Sequence, residues 1–202
     1  MLLKSIYGTN LSKLSSLYIG TSNIKYIIMK KLFFLLYILF ISKSKAQEWV
    51  TPTIDGYGKI KYSKNIAVQP DNNLEYKIVY KITTSETREG INKGLNGIAH
   101  AINMLGCVNI QNDKVKIAAT IQGQATTIIL NDNAYRKKFG KDNPNTEVIR
   151  LLSDYGVDLY VCSQATAYKK INKSDINKNI TEALSGSSVL LNYQLNGYAL
   201  MQ

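Results

Sequence analysis

The sequence predicts an α/β fold: a mostly parallel sheet of about five strands with helices on both faces. Three observations carry that expectation. Strand-like and helical runs alternate from residue 75 to 202. Ile91, Leu95, Ile98, Ile102 and Leu105 fall on one line at about 100° per residue, the buried face of an amphipathic helix. Val157-Asp158-Leu159-Tyr160-Val161-Cys162 is a short apolar run between Gly156 and a polar stretch, as suits a strand covered on both sides.

The strands and helices follow in order. Residues 47–74 hold Pro52, Pro70, Gly56 and Gly58 without a sustained period, and read as an irregular opening arm with one edge strand at Lys59–Tyr62. Tyr76–Ile82 is β-branched and aromatic, the first strong strand. Thr83-Thr84-Ser85, with Glu86 and Glu89 behind them, read as the cap of a helix reaching Leu105. Gly90, Gly94 and Gly97 fall on that helix and would let it approach the sheet closely, against a propensity cost of roughly 1 kcal/mol each. His100 points away from its core face and reads as exposed and uninvolved.

Gly106 stops the helix, and Lys114–Ile121 is the second strand, ending at Gln122-Gly123-Gln124. Ala125–Leu130 reads as a short helix, and Asn131–Asn145 as a solvated loop rich in lysine. Asn145 or Thr146 caps a helix over Glu147–Tyr155, with Gly156 as its terminator. After Cys162 come helical turns at Ala165–Tyr168 and Ser174–Lys178, a strand at Ile180–Leu184, a helix over Val189–Asn196 and a last strand at Tyr198–Met201.

The chain has 202 residues, 45% hydrophobic and 19% charged, enough for one domain with a core. Its net charge of +11 is unevenly placed. Residues 1–46 hold seven basic residues and no acidic one, which leaves 18 basic against 14 acidic residues in the remainder, a net of +4. Nucleic-acid binding is therefore not expected.

The basic leader has its own logic. Met29-Lys30-Lys31, the apolar run Leu32–Ile41 and the small-residue site ending at Ala46 form a signal peptide over residues 29–46. The apolar run is short of the roughly 20 residues a spanning helix needs. The alternative is an uncleaved anchor, the one way the chain would touch a membrane. Residues 1–28 read as a spurious extension, the mature protein is expected to begin at Gln47, and its expected place is the periplasm.

Two cysteines, Cys107 and Cys162, and one histidine leave no metal-ligand spacing. No glycine-rich phosphate motif follows a strand, so no cofactor and no metal is expected. A Cys107–Cys162 disulfide conflicts with the expected sheet. The first lies at its amino edge and the second at its carboxyl edge, about 17–20 Å apart, where a bridge needs Cα atoms within about 7 Å.

Tyr-Lys-Ile-Val-Tyr on the first strand, the helix with its glycines, Gly-Val-Asp-Leu-Tyr-Val-Cys, and Tyr193-Gln194-Leu195-Asn196-Gly197-Tyr198-Ala199 together resemble the DsrE/DsrF-like proteins, from about Ile54 onward. The opening arm, with Ile54-Asp55-Gly56-Tyr57-Gly58, is similar to that of an exported branch. The resemblance implies a three-layer α/β/α sandwich over residues 75–202, assembly into homo-oligomers, and, in some members, sulfur carried as a persulfide on one cysteine at a central strand end. Cys162 occupies that position and is the candidate catalytic residue. A sulfur donor or acceptor protein would be its partner. Its thiolate needs no base to take sulfane sulfur, and Lys169 or Lys170 could favour that form. Other readings stand beside this one: a buried structural thiol in a non-catalytic assembly module, or a redox sensor through sulfenic acid.

Overall fold

The computed structural model describes residues 26–34 and 48–202. Residues 26–34 are helical, and among the described residues no helix is long and apolar enough to cross a membrane. The proposed cleavage site after Ala46, and Leu32–Ile41 beyond residue 34, lie outside the described residues. Gln47–Gln202 forms one compact unit.

Seven strands occur among its described residues: β1 (Tyr76–Ile82), β2 (Thr87–Arg88), β3 (Ile91–Asn92), β4 (Val115–Ile121), β5 (Asp158–Cys162), β6 (Thr181–Ala183) and β7 (Ala199–Met201). Five of them form the sheet, in the order β6-β5-β4-β1-β7, and every neighbouring pair is parallel. Parallel neighbours require crossovers. These are supplied by α1 (Lys93–Cys107), α2 (Asp132–Phe139), α3 (Thr146–Tyr155), α4 (Ser163–Tyr168) and α5 (Gly186–Leu195).

The period of two along each strand sorts the side chains. Ile82, Ile117, Ala119, Ile121, Leu159 and Val161 bury against Leu95, Ile98 and Ile102 of α1 and Val148, Ile149 and Leu152 of α3. The intervening Val79, Ala118, Thr120 and Cys162 are buried on the opposite side, where α5 packs on β1, β4 and β5. The architecture is thus the expected α/β sandwich with a five-stranded parallel sheet.

Two stretches depart from expectation. The helix after β1 does not begin at Ser85. Residues 87–92 first turn back as the antiparallel hairpin β2–β3, with Glu89 and Gly90 left-handed at φ 53° and 85°. Asn92 is the cap instead, accepting from the Gly94 and Leu95 amides at 2.9 and 3.4 Å. A glycine turn followed by a favoured capping residue outweighs the acidic residues that suggested an earlier start. The stretch Asn131–Asn145 is not all loop. Asn131 accepts from the Ala134 amide at 2.9 Å and starts α2, and Gly140 ends it at φ 72°. Asp132 in its first turn and Arg136-Lys137-Lys138 in its last suit the helix dipole.

The expected edge strand in the opening arm reduces to one antiparallel bridge, Val50 to Ile60, closed by two 2.9 Å hydrogen bonds. The arm is held by a side chain on α1. Asn103, fully buried, accepts from the Thr53 and Ile54 amides at 2.9 and 2.8 Å and donates to the Tyr57 and Gly58 carbonyls at 2.8 and 3.1 Å. Gly58 presses on α1 so closely that a Cβ there would meet the Ala99 and His100 backbone. His100 is exposed but engaged: its Nδ1–H donates to the Lys59 carbonyl at 2.9 Å.

Candidate functional site

Cys162 closes β5 as the sequence reading places it. Gly156, left-handed at φ 103°, ends α3, and β5 then enters the sheet between β4 and β6. The strand stops because α4 begins at the next residue. Ser163 Oγ and Gln164 Nε2 both donate to the Leu184 carbonyl, at 2.9 and 3.2 Å, and tie that junction to the end of β6. Thr166 Oγ1 adds bonds to the Ser163 carbonyl and to Glu182 Oε1 at 3.0 and 3.1 Å.

The thiol lies on the α5 side of the sheet, in line with Tyr160, whose hydroxyl meets that of Tyr193 on α5 at 3.0 Å. Its residue is 6% exposed, so the approach to it within one chain is narrow. On the same side of β4, Thr120 Oγ1 is buried without a hydrogen-bond partner. It faces Gly186, the first residue of α5, where a Cβ would lie 3.0 Å away. Gln122 packs against the same glycine.

The lysines considered as aids to the thiolate are not beside it. Lys169 caps the far end of α4, seven residues and about 10 Å of helix from Cys162. With Lys170, Lys137, Lys138 and Asp175 it borders a separate surface cavity of about 350 Å³. Cys107 ends α1, half-buried, and burial pushes its thiol pKa up, which disfavours the thiolate. Both cysteines are free. Among the described residues no group of three His, Cys, Asp or Glu side chains converges as a metal site would need.

A second cavity, of about 380 Å³, opens at the carboxyl ends of β1 and β7. Tyr80, Ile82, Thr83, Thr84, Arg88, Gly94 and Gly97 are among its lining residues. It lies on the α1 side of the sheet, opposite Cys162. The glycine spacing was its one signal in the sequence, and the three glycines have different roles. Gly90 turns the hairpin. Gly94 meets Ile82, whose Cγ2 and Cγ1 atoms would lie 2.8 and 2.9 Å from a Cβ, as a close helix–sheet approach requires. Gly97 meets nothing within 4 Å and faces open space.

The family model described as DsrE/DsrF-like matches residues 77–202. No curated protein matches the chain. The solved structures similar to it include two with the following likeness. One is the MTH1491 protein of Methanobacterium thermoautotrophicum, described as of unknown function, with 16% identity, coverage of 62% of this chain and 97% of that one, and a TM-score of 0.43. The other is the ychN protein of E. coli, with 16% identity, coverage of 62% and 96%, and a TM-score of 0.42.

Proposed function

The chain belongs to the DsrE/DsrF-like family, and from that membership we propose that it carries sulfane sulfur on Cys162. The observation that supports the reading is the position of the thiol, at the carboxyl end of a strand inside a parallel sheet, where α/β proteins place their chemistry. The Cys162 thiol loses its proton to solvent and its thiolate attacks the outer sulfur of a donor persulfide. The donor's S–S bond breaks, the donor leaves as a thiolate, and a new S–S bond forms on Cys162. An acceptor thiolate reverses the step by attacking that outer sulfur. No net oxidation or reduction occurs, so neither a metal nor an organic cofactor is required. Incubation of the protein with a low-molecular-weight persulfide should add one sulfur to the peptide containing Cys162. An unmodified thiol, or equal uptake by Cys162→Ser, would refute it.

The 6% exposure of Cys162 favours a second reading. Here the thiol is a structural residue of a non-catalytic assembly module. That reading expects Cys162→Ser to keep the assembly and the cellular role of the native protein.

We propose further that residues 29–46 act as a signal peptide and that the protein works in the periplasm. The N-terminal sequence of protein recovered from that compartment should start at Gln47. The domain assembles as a homo-oligomer, which light scattering on the eluted species should show as a multiple of the chain mass.

A further inference from the structure

We propose that the cavity at the carboxyl ends of β1 and β7 binds a small amphipathic anion, an apolar body bearing one carboxylate or sulfonate group, with Arg88 as the head-group partner. The site is independent of Cys162, from which the thickness of the sheet separates it.

Four observations converge. The first is location. From β1 the chain crosses to β4 on one side, while β7 returns to the other side of β1, so the cavity lies at the switch point where open parallel sheets hold ligands. The second is the wall. Tyr80 and Ile82 offer buried apolar surface, and the Tyr80 hydroxyl makes no hydrogen bond among the described residues, so a donor is left for a ligand. The third is charge. Arg88 and Lys93 line the cavity from the α1 side, no lining residue has a carboxylate side chain, and the α-carboxylate of Gln202, which also borders it, makes no ion pair with Arg88. Lys93 is occupied by Glu86 at 2.9 Å, whereas Arg88 has no ion-pair partner among the described residues. Its planar fork suits the two oxygens of a carboxylate or sulfonate.

The fourth is Gly97. A glycine inside a helix costs about 1 kcal/mol against alanine, and that cost normally reflects a close packing contact. Gly94 has such a contact, one turn earlier; Gly97 has none. Any side chain at 97 would instead project toward the cavity. The unfilled position is explained if the space above it is used by a bound molecule.

The test uses the full chain and 8-anilinonaphthalene-1-sulfonate as probe, with the neutral N-phenyl-1-naphthylamine as its uncharged counterpart. The native protein should bind the sulfonate at one saturable site. Gly97→Leu should abolish that binding while melting no lower than the native protein. Arg88→Gln, an exposed change that leaves the core intact, should weaken the sulfonate by a factor of about 10 and leave the neutral probe unaffected. Cys162→Ser should bind both probes as the native protein does. Native binding by Gly97→Leu, the absence of saturable binding, or equal losses for the two probes in Arg88→Gln would overturn the proposal.

Discussion

Single side chains decide more here than their exposure suggests. Asn103 satisfies two amides and two carbonyls of the opening arm from a position with no contact to water. Removing it strands those groups, so Asn103→Ala should lower unfolding free energy by about 2–4 kcal/mol in urea denaturation. The sequence showed Asn103 only as one polar residue on a helix. Its role was not legible, because the backbone groups it serves are about fifty residues away and have no side-chain signature. Tyr80 gives a second measurement. Burial pushes its phenol up to about 12 from an ordinary 10. Below about pH 10 the folded and unfolded chains hold this proton equally. Between about pH 10 and 12 the unfolded chain releases it first, so the contribution of Tyr80 to stability falls by roughly 2–3 kcal/mol as pH rises. Denaturation at pH 9 and pH 11.5 should show a smaller loss for Tyr80→Phe than for the native protein.

At the scale of an element, α1 contains its own control. Gly97→Ala should raise stability by about 1 kcal/mol, because it gains helix propensity and meets nothing. Gly94→Ala should lower it, because the new methyl must displace Ile82. Melting curves of the two variants should shift in opposite directions. For α5, Ser185 and Ser188 form a reciprocal capping box, and Ser185→Ala should cost about 1 kcal/mol by the same measurement. The parallel strands were legible because β-branched runs between glycine turns have few alternatives. Cys162 was legible as a strand end because Gly156 and Ser163 fix both limits of β5. The β2–β3 hairpin was hidden by its shortness. Helix α2 was hidden because none of its residues is buried, which leaves no apolar stripe to find. The cavity was illegible because the hairpin that sets Arg88 and the start of α1 beside the end of β1 was itself hidden, and the glycines bordering it look alike until their neighbours are known.

For the whole molecule, the sheet order has a consequence for how the chain comes together. β1 is the first long strand in sequence, yet it ends between β4 and β7. Its partner β4 arrives after one helix, while β7 arrives only after every other strand, with Ile78, Val79 and Tyr80 opposite Ala199, Leu200 and Met201. Closing so long a loop is slow relative to local pairing. Throughout that interval one edge of β1 offers unpaired amides and carbonyls beside tyrosine, isoleucine and valine, a template for the same strand of a neighbouring chain. A nascent chain is thus most vulnerable to aggregation just before its final strand docks, and refolding yield should fall with protein concentration more steeply when Leu200 is replaced by proline.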